Sequence, residues 1–250
     1  MISRRTVLQA GLGFIPGFRP QRLTMQLDWR LNAQFAGLCV ADAHGGYRRQ
    51  GLTVSLNPAP PDMDVIQAVV SQPHTIGCAE ESLILTAQAN GVDVVAIATM
   101  LQASPLALMS LPDNALSNLQ QLIGKRIGLH SDGQKALELI LANYHIEREQ
   151  LVIIDIPYRN KHQRLINGEF DAVQCYALDE PIDIAERLGK SPKLLQFKDY
   201  GFDAYSQVIF APTQLVIEQP QVLHRFLEAT FLGWHWAIHH PSEAVLLQMG

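Results

Sequence analysis

From Leu23 onward the chain alternates short strand-like runs with helix-like segments, and this alternation restricts the fold more than any other feature. Parallel strands cannot be joined by a tight hairpin. They need a crossover, usually a helix, so the alternation reads as a series of β-α-β units. Strand candidates are residues 23–29, 52–56, 75–79, 94–99, 106–111, 126–130, 151–156, 172–176, 194–197 and 207–211. Helices are expected over 35–44, 63–71, 82–89, 118–123, 134–144, 161–167, 181–188, 221–239 and 242–248. Local signals mark the helix ends: Asp62 as a cap before the second helix, Pro181 in a first turn that tolerates its missing N–H, and Gly91, Gly124, Gly168 and Gly189 just past helix ends. The fold class that follows is α/β with mostly parallel sheets.

The other global features narrow the function. With 250 residues, 48% of them hydrophobic, the chain has ample core material for one or two domains. A net charge of −5 argues against a nucleic-acid partner, which needs a clustered positive surface. No apolar run reaches the roughly 18 uncharged residues of a membrane span. Cys39, Cys78 and Cys175 are far apart and lack zinc spacing, so they read as small buried side chains rather than metal ligands or disulfides. His235 and His239 lie four apart on a helix with no third ligand of recognisable spacing, so no metal is expected. Residues 1–22 read as an export signal. Ser3-Arg4-Arg5 before the apolar stretch from Val7 to Phe18 resembles the twin-arginine motif, and the expected destination of the chain is the periplasm.

The most informative stretch runs from Trp29 to Val54. A strand leads into a polar turn, then a helix stopped at Gly45-Gly46, then a second strand, which places the turn where open α/β sheets bind ligands. Asn32 and Gln34 offer amides that donate and accept, beside the aromatic faces of Trp29 and Phe35. That mixture suits a flat heterocycle, and it equally describes a polar turn with Trp29 and Phe35 in the core. Two further strand-to-helix junctions have the same character. His130-Ser131-Asp132 offers free N–H groups that could hold a polar ligand edge or simply a capping side chain, and Glu80-Glu81-Ser82 favours a neutral or cationic ligand over a strong anion.

The ordered residues Trp29, Asn32, Gln34-Phe35-Ala36-Gly37, Val40-Ala41, Gly46-Tyr47, Gly51-Leu52 and Val54 resemble the signature of periplasmic solute-binding proteins of ABC importers, in their thiamine-pyrimidine-precursor and riboflavin-like branch. Gly91–Ala98, Gln102 with Ser104-Pro105, Leu122–Gly128, Gly168–Ala172, Asp179-Glu180-Pro181, Phe226–Ala229, Gly233-Trp234 and His240–Ala244 extend the resemblance over residues 23 to 250.

This resemblance implies a two-lobed, type II binding-protein fold with two mixed, mostly parallel sheets. One lobe would comprise residues 23–103 and 208–250, the other 104–207, with hinge crossings near 103–111 and 201–207. It implies ligand contacts from Trp29, Asn32, Gln34, Phe35, Glu81 and Gln102 on one side, and from Ser131, Tyr176 and Glu180 on the other. The ligand would be a small heteroaromatic compound, a pyrimidine thiamine precursor or a flavin. The partner would be a membrane permease, the receptor a monomer, and no cofactor is expected. Alternatives are a pyrimidine-synthase-like enzyme of thiamine biosynthesis, an alkanesulfonate or other organic solute binder, and a ligand sensor. Phe35 stands where the synthases carry a reacting histidine, and Tyr200–Gln207 lacks the cysteines of their iron-binding segment, so the chain is expected not to be an enzyme.

Overall fold

The computed structural model describes residues 20–60, 63–157 and 160–247. In chain order the strands are β1 (Gln21–Gln26), β2 (Leu52–Asn57), β3 (Thr75–Ala79), β4 (Val94–Leu101), β5 (Leu106–Ser110), β6 (Arg126–Leu129), β7 (Val152–Asp155), β8 (Ala172–Tyr176), β9 (Lys193–Gln196) and β10 (Ser206–Pro212). The α-helices are α1 (Ala36–Ala43), α2 (Gly46–Arg49), α3 (Val65–Val70), α4 (Glu81–Ala89), α5 (Ser131–Asn143), α6 (Lys161–Ile166), α7 (Glu180–Leu188), α8 (Thr213–Glu218), α9 (Pro220–His239) and α10 (Pro241–Leu246).

Two mixed sheets organise these elements, with strand orders β2-β1-β3-β10-β4 and β7-β6-β8-β5-β9. Each contains one reversed strand. β10 runs antiparallel to both β3 and β4, and β5 runs antiparallel to both β8 and β9, so the other four strands of each sheet point the same way. Burial follows position: the interior strands β3 and β5 are buried at every residue, whereas the edge strands β2 and β7 expose part of theirs. Two chain segments cross between the sheets, residues 102–105 from β4 to β5 and 197–205 from β9 to β10. They run side by side, and Ser104 N–H donates to the Ala204 carbonyl at 2.9 Å.

The first sheet is covered by α1 and α9, and two glycines let these helices approach. A Cβ on Gly37 would lie 2.2 Å from the Trp234 ring, and one on Gly233 would lie 2.1 Å from the Gly37 carbonyl. Beside the crossing, Tyr47 stacks on Phe226 at 5.3 Å, and its hydroxyl pairs with Thr230 Oγ1 at 2.9 Å. Leu38, Met25 and Ile76 complete this core. The second sheet has a core of its own, built from Ile127, Leu137, Ile140 and Phe197.

Several local expectations change. The turn before α1 is a 3-10 turn, Ala33–Phe35, capped by Asn32, whose Oδ1 accepts from Gln34 N–H. Gly45, at φ +69°, ends α1, but one further helical turn, α2, precedes β2. Residues 118–123 form a 3-10 turn over Leu119–Leu122 rather than an α-helix, and α8 is an additional helix. Asp62 lies outside the described residues; the cap of α3 is Asp64, whose Oδ1 accepts from Gln67 N–H at 3.0 Å. Arg4 and Arg5 also lie outside the described residues.

Candidate functional site

A cavity of about 630 Å³ lies between the two sheets, at the carboxyl ends of their parallel strands. Asp28 and Trp29 follow β1, Glu80 follows β3, His130 follows β6, and Tyr176 ends β8. Because β10 is reversed, its first residues reach the same edge and bring Gln207. Val65, Ile66, Leu83 and Ala87 of α3 and α4 supply an apolar flank. A mostly apolar cleft with a few placed polar groups is the usual form of a small-molecule site.

On the second-sheet wall the polar groups form one buried network. Lys161, the first residue of α6, reaches Glu180 Oε1 at 2.5 Å, the Gln174 carbonyl at 3.0 Å and His130 Nε2 at 3.3 Å. His130 Nδ1 lies 2.7 Å from the Ile156 carbonyl. A carbonyl can only accept, so Nδ1 carries the proton and Nε2 is left to accept from the lysine, which assigns a neutral ring. Glu180 also accepts Tyr176 N–H at 2.8 Å, and His162 Nε2 lies 3.5 Å from it. Burial pushes the Glu180 carboxyl up, but Lys161 and His162 outweigh it and hold the group below the ordinary carboxylate range. Gln174 Oε1 accepts His130 N–H at 2.9 Å, and its side chain comes so near Gly133 that a Cβ there would lie 2.0 Å from Oε1.

The first-sheet wall is built differently. Gln207 Nε2 donates to Asp28 Oδ1 and Oδ2 at 3.1 and 2.9 Å, and the Cys78 thiol lies within reach of Gln207 Oε1 at 3.5 Å and Asp28 Oδ1 at 3.7 Å. Gln207 is fully buried, within a strand, at φ +52°, a left-handed conformation that costs on the order of 1–3 kcal/mol outside glycine. Glu80 accepts from Ser104, within one crossing segment, from Ser206, just after the other, and from the Tyr176 hydroxyl of the opposite sheet. Gln34 is 6% exposed, and its Oε1 has no hydrogen-bond partner among the described residues.

Contacts between the sheets also ring the cavity mouth. Asn32 Nδ2 donates to Asp179 Oδ2 at 3.0 Å, and Arg30 lies 3.4 Å from Asp179 and 3.5 Å from Asp183. Lys135 Nζ donates to Thr86 Oγ1 at 2.9 Å, joining α5 to α4.

Of the residues expected to touch a ligand, Trp29, Gln34, Tyr176 and Glu180 line the cavity. Asn32 instead caps the turn and bridges to Asp179 at the mouth. Phe35 does not line the cavity: it is 0% exposed and packs with Leu38 and Met25 in the first-sheet core, while Gln34, beside it in the 3-10 turn, faces the cleft. Glu81 does not line it either. Its carboxylate accepts Tyr205 N–H at 2.7 Å, and the preceding Glu80 takes the cavity position. Gln102 is exposed on a crossing segment and does not line the cavity. The Ser131 side chain lies outside the described residues.

Sequence reasoning missed Asp28, Lys161, Gln174 and Gln207 as cavity-lining residues, whereas His130 belongs to a junction that it singled out. Asp28 could have been found as the polar residue near the carboxyl end of the first strand candidate, and Gln207 by its polarity ahead of the apolar run Val208–Ala211. Lys161 and Gln174 have no comparable signal. Of the helical histidines, His239 Nδ1 is engaged with the His235 carbonyl at 2.7 Å, and no group of three or more metal-ligating side chains occurs among the described residues.

Comparison with known proteins agrees with this architecture. The alkanesulfonate-binding protein SsuA from Xanthomonas axonopodis pv. citri superposes with a TM-score of 0.70 at 16% identity, over 92% of this chain and 78% of that one, so the two-lobed type II periplasmic-binding-protein fold is shared. The riboflavin-binding protein RibY of Chloroflexus aurantiacus is 24% identical over 92% of this chain and 66% of its own length. A protein of Legionella pneumophila subsp. pneumophila named 4-amino-5-hydroxymethyl-2-methylpyrimidine phosphate synthase is also 24% identical, over 89% of this chain and 71% of its own. That enzyme name, on a relative as similar as the binding protein, overturns the expectation that the chain is not an enzyme. The differences at Phe35 and Tyr200–Gln207 were too few to carry that exclusion. The model of the family described as NMT1/THI5 like matches residues 32–244, and the chain belongs to that family.

Proposed function

We propose that the chain binds a small heteroaromatic compound, a pyrimidine thiamine precursor or a flavin-like ring, in the cavity between its two sheets. The observation that carries this reading is the placement of Trp29 and Tyr176 on walls built from different sheets of one cavity, beside buried groups that can read a ring edge. In this reading the chain is the solute-binding component of an ABC importer, exported through its Arg4-Arg5 segment. Residues 23–103 and 208–250 would move as one lobe against 104–207, and the closed form would be what the permease recognises. The names of the sequence relatives favour a second reading, in which the bound pyrimidine is chemically changed or formed in the same cleft.

One experiment separates the readings: mass spectrometry of small molecules that co-purify with the native protein, followed by incubation with the compound found. A heteroaromatic ligand that raises the melting temperature and is recovered unchanged supports the receptor. Recovery of a different compound supports the enzyme. A co-purifying aliphatic sulfonate, with no thermal shift from aminopyrimidines or flavins, refutes both.

A further inference from the structure

We propose that Asp28 and Gln34 form a hydrogen-bond-accepting wall that selects ligands presenting N–H donors along one edge, and that Gln207 is the positioning residue for Asp28. The inference rests on the heteroaromatic reading and adds what the ligand edge must carry.

Two independent observations support it. The first is Gln34, whose Oε1 is buried against the cavity without a partner among the described residues. Buried amide oxygens are nearly always hydrogen-bonded, so this one points to a donor that arrives with the ligand. Asn32 fixes the approach by accepting Gln34 N–H at 3.0 Å. The second is the orientation of Asp28. The amide of Gln207 can face a carboxylate only with its nitrogen, so its direction is chemically determined, and the Cys78 thiol lies 3.5 Å from its oxygen and 3.7 Å from Asp28 Oδ1. A donor shared between both Asp28 oxygens fixes the carboxylate plane at the cavity wall. The left-handed backbone at Gln207, costly outside glycine, is the kind of strain that is retained at ligand sites.

The chemistry selected is an amidine-like edge: an exocyclic amino group next to a ring nitrogen, which a neighbouring carboxylate favours in its protonated form. A sulfonate or carboxylate edge offers only acceptors and would face two acceptors here.

The test is isothermal titration of the full chain with 4-amino-5-hydroxymethyl-2-methylpyrimidine and with the same ring carrying methyl in place of the amino group. The wild-type chain should prefer the amino compound by about tenfold or more, the order of a hydrogen bond to a charged group. Gln34→Leu and Asp28→Asn should each bring that ratio to within about threefold. Gln207→Leu should do the same, lowering affinity for the amino compound more than for the methyl compound, a pattern that a general loss of structure would not produce. If Asp28→Asn does not fold, Gln34→Leu decides, because its side-chain oxygen has no partner to lose among the described residues. A wild-type chain that binds both compounds equally, or Gln34→Leu with an undiminished ratio, overturns the inference and leaves the heteroaromatic reading standing. Binding of neither compound, with no binding of riboflavin, overturns that reading and the inference with it.

Discussion

Replacing Lys161 by methionine removes the lysine from the buried network of the cavity and keeps most of its volume. The change leaves Glu180, 5% exposed, with Tyr176 N–H at 2.8 Å and His162 at 3.5 Å, and removes the donor that His130 Nε2 accepts. Breaking a buried pair by deleting one partner costs about 3–5 kcal/mol, because the remaining charge stays desolvated. For a chain of this size each kcal/mol moves Tm by about 2–4 °C, so a fall of roughly 6–20 °C is expected at pH 7. The pH dependence gives the argument its specificity. In the wild-type chain, burial opposes ionisation of Glu180 but Lys161 and His162 hold its carboxyl below the ordinary range. A depressed carboxyl contributes stability above its unfolded value and loses that contribution as pH falls through its folded value. Without Lys161, burial dominates and the carboxyl rises. The deficit of Lys161→Met is therefore largest at neutral pH and shrinks as pH falls toward the carboxylate range. Urea unfolding followed by circular dichroism at pH 7 and pH 5 measures both quantities, and Lys161→Met with Glu180→Gln should recover most of the loss. A deficit below about 1 kcal/mol at pH 7, or one equal at the two pH values, refutes the reasoning.

Other consequences can be tested directly. Gly37→Ala drives a methyl into the Trp234 ring and should cost about 1–3 kcal/mol in thermal unfolding; a chain as stable as wild type would mean that the two helices can part freely. Burial pushes the Cys39 thiol up to about 11, with Asp42 adding to it, and raises Cys78 and Cys175 as well, so a disulfide reagent at pH 8 should label the folded chain only after denaturant is added. Glu180→Ala should weaken binding of the co-purifying ligand at least about tenfold, whereas Lys193→Ala, exposed on β9, should not; equal affinities would remove Glu180 from the site.

The elements were legible because they depend on short-range pattern. Apolar runs such as Thr75–Ala79 and Leu106–Ser110 declare interior strands, and Gly91 and Gly189 adopt the left-handed backbone expected past a helix end. The rotation of irregular segments was not legible. Whether Gln34 or Phe35 meets the cleft, and whether Glu80 or Glu81 does, depends on how a turn of two or three residues packs, and neither pair carries a periodic signal. The Lys161–Glu180 pair was hidden for another reason: it joins the starts of two helices separated by β8, and sequence spacing does not reveal that those starts converge. Gly37 and Gly233 show the reverse case. They stood out only as part of a resemblance, and the structure supplies the steric reason that both positions lack a side chain.

The reversed strand β10 also bears on how such a chain can be made. The second sheet takes its strands from one continuous stretch, Leu106 to Gln196, and can close as soon as that stretch has left the ribosome. The first sheet cannot. β3 and β4 are not neighbours, and the gap between them is filled by residues 206–212, synthesised more than a hundred residues after β4. Until then β3, buried at all five positions in the finished fold, presents an unpaired apolar edge of the kind that recruits other chains. Vectorial synthesis therefore matures the later half first, and leaves the earlier half dependent on a chaperone or on speed. A nascent chain arrested just before Ser206 should show a protease-resistant second sheet joined to a sensitive, aggregation-prone first one.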